Sequence, residues 1–463
     1  MGPDSLYKAC DIRGHAEEEL TGALYEHWGR VLAARVEVGA PFAVGGDVRP
    51  STPAFLEALC AGLAAGGAQV VEVGVAPTPM VYFGRRHLQT RACAIVTASH
   101  NPPHVNGLKW MVGSRPPDEA EVRSLSCPPG GATPPGRAGG GRSAADLSAP
   151  YGAWLTERWA HDAALRLVVD PGNGCWSGRA GEYLRAVFPA AEVTALHDRA
   201  DGTFPERSPD CSRPGPLAEL AAVVRERGAG VGIAFDGDGD RVAFVDDEGA
   251  VLSAEEATQV LLGCLGAELA GRGFVHDVKF SDKVADAARA LGAEPRAQRS
   301  GHAFIRRLMM DCDARFGAEI SGHYFDAELE GGDDGLFTAC RLVHHLGREG
   351  ARLSDLRRAC APVFMTPDLR LEVPAAEQEA VLAAVRAAHA GRPQSDVDGV
   401  RVDFPRGWAL VRRSVTEPAV TCRFEGRRAA DLEDTIEAFC STLPELGPRL
   451  AELYRREREG ETT

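Results

Sequence analysis

Closely spaced cysteine pairs are missing from this sequence: its twelve cysteines are scattered singly from Cys10 to Cys440, with no C-x-x-C among them. A disulfide framework and a structural zinc site both need tighter spacing, so neither is expected. Long apolar runs are missing too. No uncharged apolar stretch reaches the roughly 18 residues that a membrane-spanning helix requires. The opening MGPDSLYKACDIRG has no apolar core of the kind a signal peptide carries. A cytoplasmic, reducing location with no membrane partner is the expectation. Positive charge is in short supply, with 51 Lys and Arg against 66 Asp and Glu, a net charge of −15. That field repels nucleic acid, so no nucleic-acid partner is expected. It also repels small anions, so any phosphate-bearing ligand has to be drawn in by a local cluster of cations.

What is present is ordinary for a globular chain, with 44% hydrophobic and 25% charged residues over 463 positions. The length suits three domains of about 150 residues, or four smaller ones. One unit recurs: a capping residue, an amphipathic helix, a glycine stop and a short apolar strand. Ser51 or Thr52 caps the first such helix and Pro53 sits near its first turn. Phe55, Leu56, Leu59 and Leu63 mark one face, Gly66 and Gly67 end it, and Gln69 to Val73 reads as a strand. A second unit has a strand at Leu165 to Val169 and a helix around Arg179 to Phe188. A third opens on Ser253 and Glu256, spaced as a capping box, before a strand at Phe274 to Val278. Helices alternating with strands predict α/β architecture with parallel strands and helices on the sheet faces. Residues 113–143, rich in Gly, Pro and Ser, read as a surface loop. After 361–367 the pattern changes. Strands at 369–373, 400–404, 408–412 and 419–424, with helices at 375–389 and 429–440, predict a small α+β domain with an antiparallel sheet.

Four strings carry chemistry. In FDGDGDR, Phe235 to Arg241, the carboxylates of Asp236, Asp238 and Asp240 alternate with glycine and can converge. Two unit charges 4 Å apart repel by about 4 kcal/mol at an effective dielectric near 20. A hard divalent cation relieves that repulsion. An EF-hand loop is excluded: a loop starting at Asp236 puts Arg241 where glycine is required, and the flanks read as strands. TASHNP, Thr97 to Pro102, follows the apolar run Ala92 to Val96, so Ser99 stands where open α/β sheets place their ligands. A helix cap or turn is the alternative. A Ser-His hydrolase fits less well, because no G-x-S-x-G surrounds Ser99 and His100 is its immediate neighbour. Lys109, in NGLKW, can supply positive charge nearby. In GAEISGHYF the alternation of Glu319, Ser321 and His323 puts all three side chains on one face if the segment is extended, suited to a polyhydroxylated ring or simply to solvent. In RRSVTEP, Arg412, Ser414 and Thr416 share a face, and the arginine can grip a phosphate in a bidentate fork. An exposed hairpin with incidental arginines is the alternative.

These strings, in this order from DIRG at Asp11 to Gly14 onward, resemble the α-D-phosphohexomutase family, and within it the bacterial phosphomannomutase/phosphoglucomutase group. The resemblance implies three similar α/β domains with mixed sheets and a smaller C-terminal α+β domain around a central cleft. The boundaries would be 1–145, 146–250, 251–365 and 366–463. It implies a phosphotransferase that interconverts hexose 6-phosphate and hexose 1-phosphate, of mannose or glucose, through a phosphoserine and a hexose 1,6-bisphosphate. Ser99 matches the serine that carries the phosphoryl group and, with Asp236, Asp238 and Asp240, the ligands of Mg2+. Glu319 and Ser321 match residues that bind sugar hydroxyls, and Arg412, Ser414 and Thr416 match the clamp for the non-reacting phosphate. Arg13, Lys109, Arg241, Lys279, His302 and His323 match further cleft residues. His323 or Lys279 would be the general acid or base, with His302 and His323 alternatively orienting donors. Cys10 stands where many relatives have tyrosine. A monomer or dimer acting on small hexose phosphates is expected. Phosphoglucosamine mutase, a phosphatase and a catalytically silent sugar-phosphate-binding protein are the competing readings.

Overall fold

A computed structural model of the protein describes residues 4–126, 133–414 and 418–459. The chain divides into two compact units. The first runs from the N-terminus to Val275 and takes in Leu291–Glu294 and Gly301–Cys360; the second consists of His276–Ala290, Pro295–Ser300 and the chain from Ala361 on.

In the first unit, a six-stranded sheet has the order Ile12–His15, Val105–Val112, Ala92–Val96, Pro41–Gly46, Gln69–Val75, Gly141–Ala144. The strands from Ala92–Val96 to Gly141–Ala144 run parallel, and at the other edge Val105–Val112 pairs antiparallel with both of its neighbours. Ala92–Val96 is buried along its whole length, which is why it reads as an unbroken apolar run. A second sheet orders Val242–Asp246, Val231–Phe235, Arg166–Asp170 and Glu192–Ala195, with its first pair antiparallel and the rest parallel. The strands Ala314–Ala318, Tyr324–Asp326 and Gly332–Asp333 form an antiparallel ladder in the same unit. The sheets are thus mixed, as the family resemblance implied and the helix–strand alternation alone did not. An antiparallel partner needs only a short turn, so it can be added at the edge of a parallel sheet without a crossover helix.

In the second unit, the sheet formed by Phe364–Met365, Leu369–Glu372, Gln394–Ser395, Val400–Phe404, Gly407–Arg413 and Ala419–Gly426 is antiparallel throughout. Its core includes Leu371, Val385, Val411, Phe424 and Phe439, so the expected α+β arrangement holds. The helix Leu446–Glu459 is an addition to that expectation.

The local signals hold in part: Ser51 precedes helix Thr52–Ala65 without making a side-chain capping bond. The Ser253–Glu256 capping box forms, each side chain bonding the other's backbone N–H. Phe55, Leu59 and Leu63 are buried on the helix Thr52–Ala65. The reading of 113–143 as one loop is corrected. A helix at Glu119–Arg123 is started by a capping box from Asp118 and Glu121, and Gly141–Ala144 joins the first sheet; residues 127–132 lie outside the described residues. The D-x-x-E spacing is present in the sequence, but five helical residues are too few to show a period.

Helix Thr52–Ala65 crosses helix Gly22–Ala33 at backbone contact. A Cβ on Gly62 would stand 2.1 Å from the carbonyl oxygen of Glu26, and one on Gly29 would stand 2.5 Å from that of Leu59. Helix propensity alone favours Ala over Gly by about 1 kcal/mol. Gly62→Ala is expected to reverse that sign and destabilise by about 1–3 kcal/mol through overpacking, measured by denaturant unfolding.

Asp334 caps helix Gly335–Glu349, accepting from the Phe337 N–H at 3.0 Å and the Tyr151 hydroxyl at 2.7 Å. Burial pushes its carboxyl up to about 7. The folded protein then holds a proton that the unfolded chain, titrating near about 3.9, has lost. Stability from this group is full below about pH 4 and is lost as pH rises through about 7. Asp334→Asn keeps a capping side chain, and its stability should be flatter than wild type across that window in pH-dependent urea melts.

Candidate active site

The chain after Ala92–Val96 leaves the first sheet and turns at Ser99, whose φ of +54° lies in the left-handed region. Ser99 is 1% exposed, and its hydroxyl donates to Asp236 Oδ2 at 3.0 Å. His100 Nδ1 lies 3.3 Å from the same hydroxyl oxygen. The aspartate turn links Val231–Phe235 to Val242–Asp246, strands rather than helices, as the exclusion of an EF-hand required. The two loops meet at close quarters: a Cβ on Gly237 would stand 2.6 Å from the Ser99 carbonyl oxygen.

Asp236, Asp238 and Asp240 are all buried, and one ligand atom from each lies within 4.8 Å of the others. Lys109, which pairs with Ile95 across the sheet, reaches Asp238 Oδ2 at 2.8 Å and Asp240 Oδ2 at 2.5 Å. Thr78 Oγ1 donates to Asp238 Oδ2 at 2.6 Å. Burial, then the neighbouring carboxylates, raises the pKa values of Asp236 and Asp240. Burial works the same way on Asp238, but Lys109 and Thr78 outweigh it and hold that carboxylate ionised. Burial opposes the Lys109 charge, while Asp238 and Asp240 hold its pKa well above that of a free lysine. One ammonium does not balance three acids. Asp238 Oδ1 and Asp240 Oδ1 are buried with no hydrogen-bond partner. Buried acceptors with spare lone pairs and excess negative charge fit a hard divalent cation with oxygen ligands.

Around this centre stand most of the other residues singled out from sequence. Arg13, on Ile12–His15, bonds Asp11 at 2.8 Å and Asn101 Oδ1 at 3.0 Å. Arg241 Nε donates to His323 Nε2 at 2.9 Å and lies 3.7 Å from Asp236 Oδ2. That bond puts the imidazole proton on Nδ1, 2.7 Å from Asp333 Oδ2. Burial pushes His323 down to about 4, so the ring is neutral near pH 7. His302 opens helix His302–Asp311, with Nε2 buried and unbonded, and its pKa is lowered by burial and then by Lys109.

Glu319, Ser321 and His323 do not share the face of an extended strand. They form the turn between Ala314–Ala318 and Tyr324–Asp326, closed by Glu319 N–H to His323 C=O at 2.9 Å and Gly322 N–H to Glu319 C=O at 3.0 Å. Gly322, at φ +91°, lets the chain reverse, and Ser321 Oγ donates to Glu319 Oε1 at 2.8 Å. The residues still cluster, through hairpin closure rather than strand alternation.

Lys279, Arg412 and Ser414 belong to the second unit. Lys279 Nζ lies 3.7 Å from Asp277 Oδ2, and Arg412 Nε lies 2.8 Å from Asp398 Oδ2. The Ser414 N–H donates to the Ala419 carbonyl at 2.8 Å. Thr416 lies outside the described residues. Sequence reasoning missed the Asp47–Arg49 pair beneath the Ser99 turn. Its signal was GGDVRPSTP, directly after a buried parallel strand, where open α/β sheets place functional loops.

Comparison with known proteins places the chain in a family. Four family models match in succession: phosphoglucomutase/phosphomannomutase α/β/α domains I, II and III at residues 4–123, 154–249 and 249–364, and the C-terminal domain at 369–441. A phosphomannomutase/phosphoglucomutase of Pseudomonas aeruginosa is 31% identical over 460 residues, covering 96% of this chain and 97% of that one. The chain belongs to the phosphoglucomutase/phosphomannomutase family. A phosphoglucomutase of Neisseria gonorrhoeae is 31% identical over 453 residues, covering 96% and 98%. The crystal structure of a phosphoglucomutase/phosphomannomutase family protein from Burkholderia thailandensis superposes with a TM-score of 0.87 at 30% identity, covering 96% of this chain and 98% of that one. As a member of this phosphohexomutase family the protein is a mutase, and the competing phosphoglucosamine mutase and silent-binder readings are not favoured. Among the described residues no helix is long and apolar enough to cross a membrane.

Because Gly237 leaves no room for a side chain against the Ser99 carbonyl, Gly237→Ala is expected to part the two loops. Turnover should fall at least about 10-fold and stability by about 1–3 kcal/mol, read by coupled assay and thermal melt.

Proposed function

We propose that the protein interconverts the 6- and 1-phosphates of mannose or glucose through a phosphoryl group carried on Ser99. The observation that carries the reading is the 3.0 Å contact between the Ser99 hydroxyl and Asp236, within a buried set of three carboxylates and one lysine. The names borne by the relatives support the sugar class, and the succession of four family models supports domains at 1–145, 146–250, 251–365 and 366–463.

In this reading Asp236, Asp238, Asp240 and the Ser99 oxygen would hold Mg2+. When bound, the ion neutralises charge on the phosphoryl oxygens. Lys109 and Arg13 add positive charge on the same side, which the overall charge of −15 makes necessary. The P–O bond to Ser99 breaks as one forms to the free hydroxyl of the sugar phosphate, giving a hexose 1,6-bisphosphate. The bisphosphate turns over, and its other phosphoryl group returns to Ser99. The sugar hydroxyl must lose a proton. We assign that proton to His302, whose Nε2 is unbonded and neutral, with Lys279 as the alternative. His323 is tied at Nε2 by Arg241, which suits orientation rather than proton transfer. Glu319 and Ser321 are assigned to sugar hydroxyls, and Arg412, Ser414 and Thr416 to the non-reacting phosphate.

Ser99→Ala is expected to lose turnover by more than about 10⁴-fold, the scale of nucleophile removal, while still binding sugar phosphate by calorimetry. Intact-mass spectrometry of wild type should find one phosphate on Ser99. Chelation should abolish turnover, and Mg2+ should restore it. Undiminished turnover in Ser99→Ala would refute the reading. A panel of mannose, glucose and glucosamine 6-phosphates, primed with bisphosphate, ranks the sugars.

A further inference from the structure

We infer that Arg49 is a positioning residue for phosphoryl transfer: it holds the Ser99 turn in its left-handed form by taking up the turn's carbonyl groups. The inference rests on the assignment of Ser99 above and adds a residue to it.

Arg49 has no exposed side-chain surface, and all five of its guanidinium N–H donors are used. Nε donates to Asp47 Oδ2 at 2.9 Å. Nη2 donates to the Ser99 carbonyl at 2.8 Å and to that of Asn101 at 2.5 Å. Nη1 donates to the Pro102 carbonyl at 2.5 Å and to that of Val105 at 3.0 Å. Four carbonyl groups of one loop therefore converge on one cation.

The loop sequence explains the need. Asn101-Pro102-Pro103 makes two successive peptide links to proline, neither of which has an N–H. In a helix the N–H of residue 103 would serve the Ser99 carbonyl, and Pro103 has none to give, so that carbonyl needs another donor; a carbonyl left unsatisfied inside the protein is costly. Ser99 itself sits at a φ that a non-glycine residue adopts only at a cost. Its N–H donates to Thr97 Oγ1 at 3.0 Å, and Thr97 Oγ1 in turn donates to Asp47 Oδ2 at 2.7 Å. Ser99 is thus fastened on both sides, by its carbonyl to Arg49 and by its N–H through Thr97 to Asp47, the carboxylate that Arg49 also holds. Thr52 Oγ1 donates to Asp47 Oδ1 at 2.7 Å, anchoring the pair to the helix Thr52–Ala65. Arg49 bonds the turn's backbone rather than the Ser99 hydroxyl, so its effect on chemistry passes through where that hydroxyl points.

The test compares wild type, Arg49→Lys and Thr97→Val. Lysine keeps the charge but has three donors in place of five, and valine keeps the shape of threonine without its hydroxyl. Steady-state kcat and KM are measured with Mg2+ and bisphosphate at about 10 °C, where circular dichroism shows which variants are folded. The rate at which dephosphorylated enzyme takes a phosphoryl group from glucose 1,6-bisphosphate is followed by intact mass. Arg49→Lys should lower kcat and that rate together by about 100-fold, and Thr97→Val by about 10-fold, with KM within about three-fold of wild type. Folded variants with wild-type rates, or a rise in KM alone, would overturn the inference. So would an unfolded Arg49→Lys beside a folded Thr97→Val of normal rate. Turnover retained in a Ser99→Ala control would instead overturn the assignment beneath it, and the inference with it.

Discussion

Three carboxylates share a buried space with a single ammonium group, and the geometry of the active site follows from how that imbalance is managed. Asp238 and Asp240 are bonded to Lys109, while Asp236 accepts from the Ser99 hydroxyl. Outside a protein such a cluster would spread apart or take up protons. Here the strands Val231–Phe235 and Val242–Asp246 hold the turn closed, and the strand carrying Lys109 lies beside the one that leads to Ser99. Ser99, the acids and the compensating cation are therefore held by short turns anchored in two adjoining pieces of sheet. Charge left over after Lys109 is what makes the centre fit for a divalent cation.

The choice of lysine at this point is informative. Only four lysines occur among the 51 basic residues of the chain, and one of them is Lys109. A compact ammonium can sit between two buried carboxylates, where a planar guanidinium would demand a flat bidentate partner. Arginine is used where its fork is needed. Arg49 gathers four carbonyls of one loop, and Arg241 orients an imidazole. Lys109 and Arg49 thus do different work, one balancing charge and the other holding backbone.

Much of the site is legible in the order of residues along the chain, because the chemistry requires particular side chains in a row. Alternating aspartates and glycines, a serine after an apolar strand and a lysine ten positions on are local patterns. The glycine at 237 illustrates the limit. Its presence suggests a tight bend, whereas its sharper role is to leave space for the carbonyl of Ser99, which lies far away in sequence. The string Glu319 to His323 leads to the right cluster by the wrong route, since alternation mimics a strand until Gly322 turns the chain. Asp47 and Arg49 escape a reading of the sequence because they serve backbone atoms, and a carbonyl group leaves no mark there. The short helix at Glu119–Arg123 is hidden by its length.

The sequence by itself determined the recurring helix–strand units, the antiparallel character of the C-terminal sheet, and the residue types that could carry phosphoryl transfer. Those properties depend on neighbours within one or two turns of chain, where periodicity and capping act. Only the tertiary structure decided that the residues 276–290 and 295–300 group with the C-terminal unit, that His323 is neutral and held at Nε2 by Arg241, and that five donors of Arg49 close on the Ser99 turn and its Asp47 anchor. These depend on burial and on contacts between distant segments, and both are set by how sheets pack, which no short stretch of residues encodes.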